Sequence, residues 1–234
     1  MIGKKTRYFS KGELALWGAS VALILISFCL FDRDNYLALI ASLIGVTSLI
    51  INAKGNPFGQ FLMVIFSLLY GVISHSFAYY GEMITYLGMT MPMAVVALVA
   101  WLKNPYNGNK AEVKVNTISR METLLMLGLT AAVTALFYFV LEYFGTANLV
   151  LSTLSVTTSF LAVYLTFRRS PYFALAYAAN DVVLIVLWIL ASICDIRYIS
   201  VVVCFTAFLA NDIYGYVSWQ KMKVRQSRGS GKTQ

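Results

Sequence analysis

Apolar residues run along this chain almost without interruption, broken at intervals by small groups of charged residues, by Asn-Pro or Ser-Pro, or by Gly. The runs are continuous rather than alternating. They therefore predict helices that are apolar all round, not the dyad pattern of a membrane β-barrel. Eight runs approach the ~20 residues that cross a ~30 Å hydrocarbon layer: Glu13–Phe31, Tyr36–Ile51, Phe58–Ser76, Ile84–Trp101, Met121–Tyr143, Leu149–Phe167, Tyr172–Ile193 and Tyr198–Trp219. The connections are short except for Lys103–Arg120, KNPYNGNKAEVKVNTISR. The closing QSRGSGKTQ reads as a disordered tail.

Composition agrees with that pattern. Of 234 residues, 59% are hydrophobic and only 12% are charged, about half the charged share of a soluble domain. The surface of a water-soluble globule cannot be built from this chain, and 15% aromatic residues exclude a disordered one. The net charge of +8 raises the question of nucleic acid, which the placement of the charges answers against. With a cytoplasmic N-terminus, the N-terminal tail carries Lys4, Lys5, Arg7 and Lys11, and the inner loops carry Lys54, then Lys103, Lys110, Lys114 and Arg120, then Arg168 and Arg169. The C-terminal tail adds Lys221, Lys223, Arg225, Arg228 and Lys232, so 16 of the 18 basic residues lie inside. Only Arg33 and Arg197 fall outside, each near an Asp. This is the positive-inside pattern of a multi-pass protein with both termini in the cytoplasm. The first run follows a basic tail, but seven further runs and no small-residue cleavage site follow it, so it reads as a retained helix. Cys29, Cys194 and Cys204 have no metal-ligand spacing and read as buried thiols.

Two inner connections resemble each other: VTSLIINAKGNPF, Val46 to Phe58, and VTTSFLAVYLTFRRSPY, Val156 to Tyr172. Each sets Asn56 or Ser170, good N-caps, before Pro57 or Pro171, which suit the first turn of a helix. Each half then ends near a Trp, Trp101 or Trp219, expected as interfacial belt residues. The repeat predicts one extra helix, three helices, a linker helix that restores orientation, and three helices again, in parallel, as in some transporters. The expected fold is thus an all-α membrane protein of eight transmembrane helices. It divides into a tail and extra helix (1–34), a first three-helix bundle (35–102), a loop and linker helix (103–146), a second three-helix bundle (147–220) and a tail (221–234).

Polar groups inside spans are costly unless paired or facing water. Asp181 and Asp212 lie deep in spans seven and eight, each in the same pattern: NDVVLIVLW from Asn180 to Trp188, and NDIYGYVSW from Asn211 to Trp219. Seven residues return to within roughly 20° on a helix, so each Asp shares a face with its Trp. Tyr177 lies one turn before Asp181, and Phe208 and Tyr216 flank Asp212. Asp181 stands ten residues beyond Pro171, about 15 Å deep and near the midplane. No deep Lys or Arg is available to pair with either acid. A carboxylate walled by aromatic rings suits an organic cation, with Asn180 and Asn211 supplying donors and acceptors or serving as interhelical hydrogen bonds. Tyr79, Glu82 and Tyr86 repeat the theme more weakly in span four. His75 reads as a surface or packing residue. There is no metal-ligand spacing, phosphate loop or nucleophile constellation, and no selectivity-filter motif. No cofactor is called for, and a non-enzymatic transporter remains.

The stretches NPFGQFLMVIFSLLYG, YYGEMITYLGM, WLKNPYNGNKAEVKVN, SPYFALAYAANDVVLIVLW and VVVCFTAFLANDIYGYVSW resemble the PnuC transporters of bacteria over most of the chain from Asn56 to Trp219. The resemblance implies import of nicotinamide riboside across the inner membrane by facilitated diffusion, with trapping by cytoplasmic phosphorylation. It also implies a three-plus-one-plus-three fold shared with the SWEET sugar transporters, and a homotrimer. Asn180, Asp181 and Trp188 carry more weight as substrate contacts than Asn211 and Asp212. Alternatives are a SWEET-like carrier of a neutral sugar or nucleoside, and a ligand-binding membrane protein or channel.

Overall fold

The computed structural model describes residues 8–76 and 80–230. The basic residues Lys4, Lys5, Arg7 and Lys232, and Tyr79 of the span-four pattern, lie outside them. Helices form in the order α1 (Lys11–Phe31), α2 (Tyr36–Asn52), α3 (Pro57–Ser76), α4 (Tyr80–Ile84), a π-helical turn (Thr85–Thr90), α5 (Met91–Leu102), α6 (Arg120–Tyr143), α7 (Leu149–Phe167), α8 (Phe173–Ser192) and α9 (Ile199–Ser230). Among the described residues, seven helical segments are long and apolar enough to cross a membrane, with α2 as a shorter apolar helix. Apolar side chains such as Leu124, Leu136, Phe139, Val182 and Ile213 face outward, as a lipid-exposed surface requires.

The ends of these helices follow from the sequence. Ser10 and Glu13 form a capping box on α1. Asn56 accepts from the amide of Phe58 at 2.9 Å, as expected of a cap. The helix before it unwinds at Gly55, whose φ of +68° suits glycine, and the matching turn after α7 places Arg169 at φ +58°. Three expectations change. The Lys103–Arg120 connection contains a β-hairpin, Pro105–Tyr106 paired with Asn109–Val113, turning through Asn107 and Gly108 at positive φ, the Asn-Gly signature of a tight hairpin. The tail from Gln226 is helical through Ser230, because Gln226 bonds the hairpin at Val115 N (2.8 Å) and Val113 O (3.0 Å) and so gives α9 a surface to pack on. Of the three cysteines only Cys204 is buried, Cys29 and Cys194 being exposed on the bundle surface.

α2, α3 and α5 pack together, as do α7, α8 and α9. The groups meet along two seams, α2 against α9 and α5 against α7; α1 lies on α9 and α2, and α6 on α7. At the end bearing the hairpin the seams are closed by tryptophans, which corrects their reading as belt residues. Trp101 and Trp219 are fully buried. Trp101 Nε1 donates to Thr166 O at the end of α7 (2.9 Å), and Trp219 Nε1 to Asn52 O at the end of α2 (2.8 Å). Each of these helix-terminal carbonyls accepts a turn amide, Arg169 N on Thr166 O and Gly55 N on Asn52 O, and the indole adds a second donor from across the seam. The rings stand 5.2 Å apart, with Phe173 edge-on to both.

Candidate substrate site

Between the two groups of helices lies a cavity whose empty space, its open mouth included, is about 920 Å³. Residues spaced three and four apart on α8 turn Tyr177, Asn180, Asp181, Leu184 and Trp188 into it, and α9 contributes Phe205, Phe208 and Asp212. The opposite wall is Glu82, Thr85, Tyr86 and Thr90 with Tyr70 and Phe66 from α3. The π-helical turn, with its wider coil, sets Thr85 and Thr90 on one wall. Eight of the nine expected residues therefore come together: Tyr177, Asn180, Asp181, Trp188, Phe208, Asp212, Glu82 and Tyr86.

Asn211 does not join them. Its amide donates to Ser20 Oγ on α1 (2.9 Å) and to Ala207 O (2.8 Å), which makes it the tie between α9 and the first helix. Two acids in the first turns of α1 and α6 have partners of their own. Glu13 accepts from Lys54 Nζ (3.0 Å) and from the Tyr214 hydroxyl (2.8 Å), and Glu122 pairs with Arg168.

Asn180 is fixed by a feature that the sequence reading passed over. Its Oδ1 accepts from hydroxyls of α7: Ser155 at 3.1 Å, Thr158 at 2.8 Å and Ser159 at 3.1 Å. With the carbonyl side occupied, the amide NH2 is what the residue offers to a ligand. The signal was present in LSTLSVTTS, an apolar span unusually rich in hydroxyls at helical spacing. Asp181 and Asp212 sit carboxyl to carboxyl, and Asp181 Oδ2 is buried without a hydrogen-bond partner. Two charges in contact in a low dielectric repel strongly, and a cation beside them relieves that repulsion. Phe66, Tyr70 and Tyr86 form a cluster of ring contacts at 4.7–6.1 Å on the facing wall. Among the described residues no group of His, Cys, Asp and Glu is arranged to hold a metal.

A sequence model of a family described as nicotinamide mononucleotide transporters matches residues 35–221. The chain belongs to this family. It is a membrane transporter, not an enzyme. Two relatives bear the name nicotinamide riboside transporter PnuC. The one from Neisseria mucosa is 27% identical over 84% of this chain and 76% of its own length; the one from Haemophilus influenzae is 25% identical over 82% of each chain. A crystal structure described as the vitamin B3 transporter PnuC has the same fold, with a TM-score of 0.79 over 93% of this chain and 94% of that one, at 23% identity.

Proposed function

We propose that this PnuC-family transporter carries nicotinamide riboside rather than its 5′-phosphate. The observation that carries the reading is the charge of the cavity wall: Glu82, Asp181 and Asp212 line it, and among the described residues no Lys, Arg or His does. A pyridinium riboside is a cation with a flat aromatic ring, an amide and ribose hydroxyls. The Asp181–Asp212 pair meets its charge, and the rings of Tyr86, Phe208 and Trp188 meet its faces. The Asn180 NH2 donates to the carboxamide oxygen, while Glu82, Thr85 and Thr90 take the hydroxyls. A phosphate dianion in the same cavity faces three carboxyl groups and no counter-charge.

In this reading the fold is one extra helix followed by a three-plus-one-plus-three parallel repeat of eight spans. Asn52 and Thr166 then occupy matching positions, as do Gly55 and Arg169, and Trp101 and Trp219. The two triplets rock about the cavity, exposing it alternately to either side. The hairpin end is cytoplasmic, where the basic residues gather, so both termini face the cytoplasm of a bacterial inner membrane. Among the described residues the cavity has no second charged site for a coupling ion, which supports uncoupled, facilitated diffusion. In the same reading the product is trapped by cytoplasmic phosphorylation and the assembly is a homotrimer.

The test is uptake of labelled nicotinamide riboside and nicotinamide mononucleotide into proteoliposomes without ion gradients. Saturable riboside exchange, absent for the mononucleotide, is expected. Asp181→Asn should lower it by about 10- to 100-fold, the weight of a charged hydrogen bond. Equal uptake of the mononucleotide overturns the charge argument. Unchanged uptake in Asp181→Asn favours a carrier of neutral sugar.

A further inference from the structure

A second cavity, of about 850 Å³, opens at the end of the bundle opposite the hairpin. Its walls come from the end of α1 (Ser27, Phe28, Asp32), the start of α2 (Asn35, Ser42), the end of α3 (Ile73, Ser74) and the α8–α9 turn (Asp195, Arg197, Tyr198). Tyr70, Glu82 and Trp188 line this cavity and the central one alike. They form the partition between the two.

The chemistry of the second cavity repeats that of the first in a more open setting. Trp188 and Tyr198 pack their rings 5.2 Å apart on one wall, and Phe28 lies on the α1 side. Asp195 is neutralised by Arg197, which reaches it through Nε and Nη2 at 3.0 and 2.7 Å. Asp32 is hydrogen-bonded to Asn35 and makes no ion pair among the described residues. Ser74, 2% exposed, lies beside Glu82 and turns its hydroxyl toward that carboxyl on the cavity wall.

We propose that this second cavity is a vestibular binding station for the same organic monocation. The ring is held between Trp188, Tyr198 and Phe28, the positive charge lies toward Asp32 and Glu82, and a hydroxyl or amide reaches Ser74. Passage to the central site is a short move past Tyr70 and Glu82, with Glu82 accompanying the charge from one station to the next. The proposal rests on the reading of the central cavity as a riboside site. It also gives α1 a functional part, although α1 lies outside the stretch matched to the family, residues 35–221.

Two charge changes of opposite sign test the station in the full-length protein in proteoliposomes. Asp32→Asn keeps the side chain's size and its bond to Asn35, and should lower Vmax/KM for external nicotinamide riboside about two- to fivefold, as for one partly exposed ion contact. Arg197→Gln releases Asp195 and should raise Vmax/KM by a similar factor, with both effects shrinking at high salt. A merely structural role for these residues predicts losses in both variants. In purified protein carrying Asp181→Asn and Asp212→Asn, titration with 1-methylnicotinamide should quench tryptophan fluorescence saturably, and Asp32→Asn should raise the concentration for half-quenching about two- to fivefold.

Losses in both transport variants, or no quenching dependent on Asp32, overturn the station while leaving central-site transport intact. Absence of riboside transport by the folded parent overturns the central reading instead. Quenching by 1-methylnicotinamide that depends on Asp32 supports the station even then.

Discussion

The two ends of the bundle are built on different terms. At the hairpin end, indole N–H groups cross both seams to helix-terminal carbonyls, three rings lock together, and the β-hairpin bonds to Gly55 and Arg169, which the proposed repeat places at matching positions. At the opposite end the helices part around a cavity where the one ion pair among the described residues, Asp195–Arg197, bridges residues two apart in the same turn. One end is joined by hydrogen bonds between both groups of helices, and at the other the ion pair seen among the described residues is local. A carrier that opens alternately needs at least one closure made of contacts that break together, and the tryptophan pair has that form. In this structure Tyr70, Glu82 and Trp188 stand between the central site and the cavity at that other end.

The comparison breaks most readily at the tryptophans. Trp101→Phe with Trp219→Phe retains the rings but removes both N–H donors and leaves Thr166 O and Asn52 O with one partner fewer. At about 1 kcal/mol per hydrogen bond, the closed hairpin end should lose about 2 kcal/mol. Labelling of a cysteine placed at Ser170, which is buried there, should then speed up by about 30-fold. No change in labelling would mean that the locks do not close this end.

A smaller effect is expected from pH at the open end. Burial holds the Asp32 carboxyl above the usual carboxylate range, Asn35 and Arg197 opposing that shift and Asp195 and Asp34 adding to it. The hydrogen bonds from Arg197 hold Asp195 below that range. Acidifying the open side therefore neutralises Asp32 first. The attraction for a cation is present above its pKa and lost as pH falls through it. Because the shift is upward, ionised Asp32 costs the folded state a little, and acidification here removes that attraction without removing stability. Vmax/KM should fall about two- to fivefold on acidification, and Asp32→Asn should flatten the profile.

The smallest effect sharpens the symmetry of the closed end. Arg169 holds a left-handed backbone that Gly55 adopts at no cost, and two of its guanidinium nitrogens are buried without partners. Arg169→Gly should raise thermal stability by up to about 1 kcal/mol, and a clear loss would show that the guanidinium anchors the turn.

Much of this was legible in the chain. The spans, the cap at Asn56, and the facing of Tyr177, Asp181 and Trp188 follow from local sequence pattern; Ser170, read as a second cap, is not one, because α8 starts at Phe173 with Tyr172 in the cap position. What periodicity does not carry is which helix stands opposite. Trp101 and Trp219 resemble belt residues until α7 and α2 are seen to end beside them. Asn180 and Asn211 occupy matching motifs, yet the first meets the hydroxyls of α7 and the second meets Ser20 of α1. The hairpin was announced by Asn107-Gly108 but hidden by an otherwise helical chain. The helical tail depended on Gln226 finding the hairpin, a contact 111 residues distant in sequence.

The hairpin's two anchors also set a limit on motion. Val113 N bonds Gly55 O at 2.9 Å and Asn116 N bonds Arg169 O at 3.0 Å, tying one short strand of chain to the turns of both groups of helices. Three residues of extended chain reach about 10 Å, so the turns cannot separate farther than that slack allows without releasing one amide to water. In the proposed alternating cycle, opening of the hairpin end beyond that slack releases at least one of these amides, so their exchange of hydrogen for deuterium should rise with the population of the open state, a readout at backbone positions that never touch the substrate.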